Sequence, residues 1–323
     1  DTLQTQKMIL GILITIAVTV LIYVVTRKPP KIRSIVPGDA IFITGCDTGF
    51  GNLLAKRLDS SGYCVFAACL NKDTADVLDK ETSEKLVTIQ CDVTKQEDID
   101  AALEKVKITC TEKSWNLIGV VNNAGIVTGL HVEFTEISEY EKCLAINTMG
   151  AIRVSKAFIP MLKKTKGRIV NMCSILGLSS NPLTSVYCTS KFALDGFTRV
   201  LRMDLKPFGI KAIVINPGGF STPLWNLYDR LRSDFNSKPE FHEEYGKDYV
   251  NKIIEVLESY PLGDAKVVVD AMMLALTSEK PQPRYIVGYD AAIQRYLTLL
   301  PDEWYDWIHG VLVRFPKPAV TLK

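Results

Sequence analysis

A short apolar run, Ala40-Ile41-Phe42-Ile43, passes directly into Thr44-Gly45-Cys46-Asp47-Thr48-Gly49-Phe50-Gly51 and then into a helical pattern marked by Leu53, Leu54 and Leu58. No other stretch restricts the fold as much. Glycines let a turn tighten and let backbone approach a bound group closely. A helix that starts from such a turn directs its free N–H groups at an anion, typically the pyrophosphate of a dinucleotide. The spacing is G-x-x-x-G-x-G rather than the commoner G-x-G-x-x-G. Strand, glycine turn and helix in that order predict a nucleotide-binding βα unit.

The alternation continues along the chain. Cys64 to Cys69, Leu86 to Cys91, Leu117 to Val121, Arg168 to Met172, Lys211 to Ile215 and Arg284 to Val287 read as strands. Polar helical stretches separate them, one including Ile99, Leu103 and Val106. Such an order requires right-handed parallel crossovers. The expected fold class is therefore α/β, a doubly wound parallel sheet (a Rossmann fold) covered on both faces and forming a single domain. Ligands of these sheets collect at the carboxyl ends of the strands. Gly45, Asp92, Asn122, Ser174 and Pro217 are each expected just past a strand's end, on that one edge.

Tyr187-Cys188-Thr189-Ser190-Lys191 holds a tyrosine and a lysine four residues apart, on one face of a helix. A free phenol titrates near pH ~10, and an ammonium beside it lowers that value by stabilising the phenolate. The pair can then move a proton on and off an alcohol oxygen.

Composition narrows the function classes. With 47% hydrophobic residues in 323, the chain has ample material for a core. A net charge of +2 and no long basic run give no nucleic-acid surface. The eight cysteines form no CxxC pair, and several sit in apolar runs as small hydrophobes, so the chain reads as reduced. Three histidines without ligand-like spacing predict no metal site. Asn-x-Ser/Thr sequons are absent.

Met8 to Val25 has no charge and only Thr15 and Thr19 as polar interruptions. Eighteen helical residues span roughly 27 Å, about the hydrocarbon thickness of a thin bilayer. The reading is a transmembrane anchor rather than a signal peptide, since no small-residue cleavage site follows. Arg27, Lys28, Lys31 and Arg33 follow the span against Lys7 before it, which turns the body toward the cytosol. The expected organisation is a tail at 1–7, an anchor at 8–25, a linker at 26–38, a catalytic domain at 39–290 and an apolar C-terminal segment at 291–323.

Taken together, TGxxxGxG at Thr44 to Gly51, Asn122-Asn123-Ala124-Gly125, Ser174, Tyr187 with Lys191, and Pro217-Gly218 resemble the short-chain dehydrogenase/reductase family. The resemblance covers roughly Ala40 to Tyr289. Around the glycine turn it is closest to the membrane-bound branch of retinol, 17β-hydroxysteroid and 3-hydroxybutyrate dehydrogenases. It implies that Ser174 hydrogen-bonds the substrate oxygen and that Tyr187 exchanges the alcohol proton. Lys191 would lower the tyrosine pKa and bind the nicotinamide ribose, and Asn147 would hold a water that links Lys191 to solvent. It further implies that Thr44, Gly45, Asp47, Gly49, Phe50 and Gly51 cradle the cofactor. Asp92 and Val93 would lie at the adenine, and Asn123, Ala124 and Gly125 at the riboses. Pro217, Gly218 and Thr222 would lie by the carboxamide. Plainer roles compete: a strand-end cap for Asp92, a turn for Asn122-Asn123, a helix-kinking residue for Asn147 and a loop residue for Thr222.

Cys69-Leu70-Asn71 offers no ribose-binding carboxylate, and Lys72 could attract a 2′-phosphate, whereas Asp47 would repel one. NAD is favoured over NADP. Phe220, Leu224, Trp225, Leu227 and Tyr228 begin an aromatic-rich segment placed to cover the nicotinamide, with Leu224 and Trp225 against substrate, while ordinary helical packing is the plainer role for some of them. An apolar lid near an anchor suggests a lipophilic alcohol, a hydroxysteroid or a retinol. Tyr296, Trp304, Trp307 and neighbouring apolar residues suit a membrane interface, with core packing or a dimer contact as the competing readings. The expected setting is the endoplasmic reticulum membrane, with a mitochondrial site as the less favoured choice, and a homodimer is the default assembly. The alternatives are a 3-hydroxybutyrate dehydrogenase and a catalytically idle scaffold that binds cofactor or lipid.

Overall fold

The computed structural model describes residues 30–223, 228–246 and 248–313. The expected span at 8–25, together with Leu224, Trp225 and Leu227, lies outside them. Among the described residues no helix is long and apolar enough to cross a membrane.

The order along the chain is β1 (Asp39–Thr44), α1 (Gly49–Ser60), β2 (Cys64–Cys69), α2 (Lys72–Glu81), β3 (Leu86–Gln90), α3 (Gln96–Glu112) and β4 (Asn116–Asn122). It continues through α4 (Ile137–Leu144), a π-helical turn (Ala145–Gly150), α5 (Ala151–Thr165), β5 (Arg168–Met172), α6 (Ser185–Leu205) and β6 (Lys211–Pro217). Last come α7 (Tyr228–Asn236), α8 (Pro239–Tyr245), α9 (Tyr249–Glu258), α10 (Ala265–Thr277), β7 (Arg284–Val287), α11 (Tyr289–Leu297) and α12 (Asp302–Val313).

The strands form one sheet in the order β3-β2-β1-β4-β5-β6-β7, every neighbouring pair parallel. The chain runs outward from β1 to β3 and then returns to β4 beside β1. That reversal opens a crevice between β1 and β4 at their carboxyl ends. β4 and β6 extend one or two residues beyond the expected ends, so Asn122 and Pro217 close their strands instead of following them.

β1, β2 and β5 are buried at every position, because helices cover both sides of the sheet. Alternate side chains feed opposite layers. Ile41, Ile43 and Val65 pack with Leu54, Leu58 and Met272 of α1 and α10. Phe42 and Phe66 pack with Ile99, Val106 and Phe158 of α3 and α5, with the Phe42 and Phe158 rings stacked at 4.4 Å. A third cluster, including Phe235, Phe241, Tyr249 and Ile253 of α7–α9, closes over Leu130 and Phe134 after β4. There the His131 ring stacks on Tyr245 at 4.5 Å and meets the Tyr249 hydroxyl at 3.1 Å.

Phe220 lies in the main core beside Phe50, 4% exposed, and not in a lid as expected. An isolated backbone bridge joins Phe220 to Gly263, and the ring packs over that glycine, where a Cβ would stand 2.6 Å from it.

The residues before β1 are fixed at the opposite edge of the sheet. Arg33 pairs with Asp39 at 2.6 Å, its N–H donates to Thr277 O at 2.9 Å, and Glu279 N donates to Lys31 O at 2.8 Å. The C-terminal helices dock on the body. Gln294 accepts from Ser179 Oγ at 2.8 Å, Tyr305 donates to Ser180 O at 2.8 Å, and His309 meets Asn181 at 2.8 Å. Their outer face leaves Trp304 and Trp307 63% and 69% exposed.

Candidate active site

The glycine turn folds back because Gly45 and Gly49 take φ of +69° and +62°, values that suit glycine. Gly51 answers a different need: a Cβ there would stand 2.3 Å from Gly45 O. α1 starts at Gly49, and Thr48 before it makes no side-chain cap, so the first-turn N–H groups face the crevice ready for an anion. This backbone fits a dinucleotide's pyrophosphate.

The turn is stitched to β4. Thr44 Oγ1 accepts from the backbone N–H groups of Asn123 and Ala124 at 3.0 and 3.1 Å, and Asn123 Nδ2 donates to Thr44 O and Gly45 O at 3.0 Å each. Asn123 therefore holds the crevice walls together from behind. Asp47 reaches across to the end of β2, where its carboxylate accepts from Leu70 N and Asn71 N at 2.9 Å each and from Thr74 Oγ1 at 2.7 Å. Asp92 accepts from Thr94 N at 2.9 Å and Thr94 Oγ1 at 2.7 Å, the plain strand-end turn, while also lining the crevice.

The crevice encloses about 250 Å³ and is lined by Gly45, Asp47, Gly49, Phe50, Asp92, Val93, Asn123, Ala124, Gly125 and Thr222 among others. Thr44, Gly51, Pro217 and Gly218 are not among those lining residues. Gly218 sits against Asp290, whose carboxylate accepts from Gly219 N at 2.7 Å and from the Tyr260 hydroxyl at 2.8 Å. Asp290 thus sets the loop after β6. Nothing in the sequence pattern marks it, since its partners lie 30 and 71 residues away.

At the crevice's inner end four expected residues converge. Tyr187 and Lys191 stand on α6, both buried, with the amine 5.5 Å from the phenol ring centre. Ser174 follows β5 and stands beside Tyr187, where its hydroxyl favours the ionised phenol. Lys191 Nζ donates to Met172 O at 2.9 Å. A Cβ on Gly125 would lie 3.6 Å from that amine and 3.3 Å from Asn147 Oδ1, which joins the site to the crevice floor. Asn147 sits in the π-helical turn, accepting from Ile126 N at 2.8 Å and donating to Ile126 O at 2.9 Å and Ser190 Oγ at 3.0 Å. It both distorts the helix and pins the loop after β4.

The electrostatics differ from expectation. Burial, reinforced by the Cys173 thiol, raises the Tyr187 phenol above its ordinary value, and the neighbouring Ser174 hydroxyl only partly opposes this. Burial also lowers the Lys191 ammonium. Lys191 is not among the groups that act on the phenol, so the expected lowering by its ammonium is not seen; both groups are buried, and desolvation disfavours the charged form of each.

Residues 39–230 match the family model described as short chain dehydrogenase. The chain belongs to the short-chain dehydrogenases. Rat retinol dehydrogenase 7 is 39% identical over 86% of this chain and 90% of its own length. Human 17-beta-hydroxysteroid dehydrogenase type 6 is 37% identical over 86% and 89%. Bovine mitochondrial D-beta-hydroxybutyrate dehydrogenase is 38% identical over 86% and 81%. Among solved structures, a short-chain dehydrogenase from Streptomyces avermitilis shares the fold with a TM-score of 0.67, at 24% identity over 86% and 96% of the two chains. This short-chain dehydrogenase is accordingly an oxidoreductase acting on CH–OH groups with a nicotinamide cofactor.

Proposed function

We propose that this dehydrogenase interconverts a lipophilic alcohol, a hydroxysteroid or a retinol, and its carbonyl, with NAD favoured over NADP. The convergence of Ser174, Tyr187, Lys191 and Asn147 at the inner end of a dinucleotide crevice carries the reading. When bound, the nicotinamide accepts or supplies the hydride. This chain's residues do the rest. Ser174 hydrogen-bonds the substrate oxygen and steadies its developing charge. Tyr187 takes the alcohol proton in oxidation and returns it in reduction. Lys191 supplies the positive charge beside the phenol, and Asn147 fixes the loop that borders the amine.

Asp47 supports NAD. Its carboxylate sits at the end of β2, where an adenosine ribose would lie, so it would accept from a 2′-hydroxyl and repel a 2′-phosphate. A lipophilic substrate agrees with the names of the retinol and 17-beta-hydroxysteroid relatives and with the apolar stretch at Met8 to Val25. The same stretch and the basic residues after it support an endoplasmic reticulum anchor with the body in the cytosol. The similarity to mitochondrial D-beta-hydroxybutyrate dehydrogenases supports a second reading, a small hydroxy acid.

The deciding experiment follows NADH and NADPH formation with a panel of hydroxysteroids, retinol and 3-hydroxybutyrate. Steroid or retinol turnover with NAD is expected. Turnover of 3-hydroxybutyrate alone, or a much larger kcat/KM with NADP, overturns the respective part.

A further inference from the structure

Ser174 and the pair Tyr187–Lys191 come from separate elements, the end of β5 and the helix α6, so something must set the distance between them. A chain of buried polar contacts reaches both from one side chain on the last strand. The Ser174 carbonyl accepts from Asn216 Nδ2 at 2.6 Å. Asn216, fully buried on β6, accepts in turn on Oδ1 from Arg284 Nη1 at 2.5 Å. The same guanidinium nitrogen stands 2.6 Å from Asp195 Oδ1, a charge contact at an angle too bent to count as an aligned hydrogen bond. Asp195 Oδ2 accepts from Arg199 Nε at 2.6 Å.

Asp195 lies one helical turn beyond Lys191 and two beyond Tyr187, on the same face of α6. The Asp195 side chain is 5% exposed and that of Arg284 20% exposed, so water screens the contact weakly. A planar guanidinium offers several donors in fixed directions and suits two acceptors at once.

The geometry points to Arg284 as a positioning residue for the reaction. Through Asn216 it sets Ser174, and through Asp195 it sets the helix that bears Tyr187 and Lys191. One side chain on β7, beyond the 39–230 stretch that matches the family model, thereby fixes the spacing of the two halves of the site. Arg284 touches no reacting atom. The inference rests on the reading of Ser174 and Tyr187 as the catalytic pair.

Two variants test it. Asn216→Ala cuts the Ser174 arm and leaves the Arg284–Asp195 pair in place. The double variant Arg284→Met with Asp195→Leu replaces both charges by apolar side chains and so strands no buried carboxylate. A displacement of about 1 Å at a reacting group lowers the rate by roughly 10²-fold. Both variants should therefore lose about tenfold to hundredfold in kcat, with KM for the alcohol and Kd for NADH unchanged. Arg284→Lys, which keeps the charge but not the planar fork, should recover part of the loss. Wild-type kcat in Asn216→Ala, or a fall in kcat matched by equal weakening of NADH binding, overturns the proposal.

A wild-type protein that turns over no alcohol would instead defeat the functional reading. The positioning claim is then read without turnover, from the crystal structure of Asn216→Ala. Ser174 Oγ displaced from the Tyr187 hydroxyl supports it, and an unchanged contact overturns it.

Discussion

Tyr187 is held away from water with its phenol raised, beside an amine whose own pKa burial lowers. Removing the hydroxyl leaves the packing of the ring intact. Tyr187→Phe should lower kcat by about 10²- to 10⁴-fold while NADH still binds, as followed by nicotinamide fluorescence. The buried amine also has a sign in stability. Lys191 binds its proton less well folded than unfolded, so it weighs against folding below its folded pKa, and the penalty fades as pH rises toward the ordinary lysine value of about 10.4. Lys191→Met should thus be inactive yet melt no lower than wild type at pH 7, with the Tm difference narrowing by pH 10. A Lys191→Met protein that melts lower at pH 7 would show that the bond to Met172 outweighs desolvation. Tyr187 acts oppositely: its raised phenol leaves stability untouched below pH ~10 and erodes it above, where the unfolded chain ionises first. Asp47→Asn keeps an acceptor for one of the β2-end N–H groups and removes the charge. The ratio of kcat/KM for NADP to that for NAD should rise about tenfold or more, since a like charge no longer faces the 2′-phosphate.

At the scale of elements, the seven strands and the glycine turn were legible because they depend on local pattern: apolar runs of strand length, broken by residues that turn. The crevice residues followed from strand order, since every carboxyl end of a parallel sheet meets one edge. What pattern could not reveal were long-range partners. Arg284 read only as the start of a strand and Asp290 as a domain boundary, although each fastens a loop or helix far away in sequence. Phe220 looked like lid and is core, because hydrophobicity does not say which side of a turn a ring will take. The glycine turn gives a direct check. Gly51→Ala would push a methyl against Gly45 O and the Asn123 amide, at 2.3 and 2.5 Å, both parts of the stitched wall. A loss of roughly 1–3 kcal/mol in stability is expected, with NADH affinity falling alongside. Gly196→Ala, inside the catalytic helix with nothing within 4 Å of its Cβ position, should leave NADH affinity unchanged and raise stability by about 0.5–1 kcal/mol.

For the whole molecule, the eight cysteines are buried and in no disulfide, and burial raises Cys46, Cys64, Cys69, Cys91, Cys110, Cys173 and Cys188, with Cys69 and Cys91 pushed up to about 12. The native protein should react slowly with a thiol reagent at pH 8, and eight groups should appear on unfolding. The exposed Trp304 and Trp307 belong to a face that suits an interface with lipid. A protein lacking Met8 to Val25 should retain some sedimentation with phospholipid vesicles and lose it on Trp304→Ser with Trp307→Ser. Full solubility of the deletion alone removes that face from consideration.

Lys31 and Arg33 are laced to Thr277 and Glu279, below the amino ends of the strands. A strand of six residues is about 20 Å long, so this exit point lies at the floor of the domain while the crevice opens at its roof. Immobilising the enzyme on a sensor surface through the residues before Pro30 should therefore leave dinucleotide exchange as fast as in free solution.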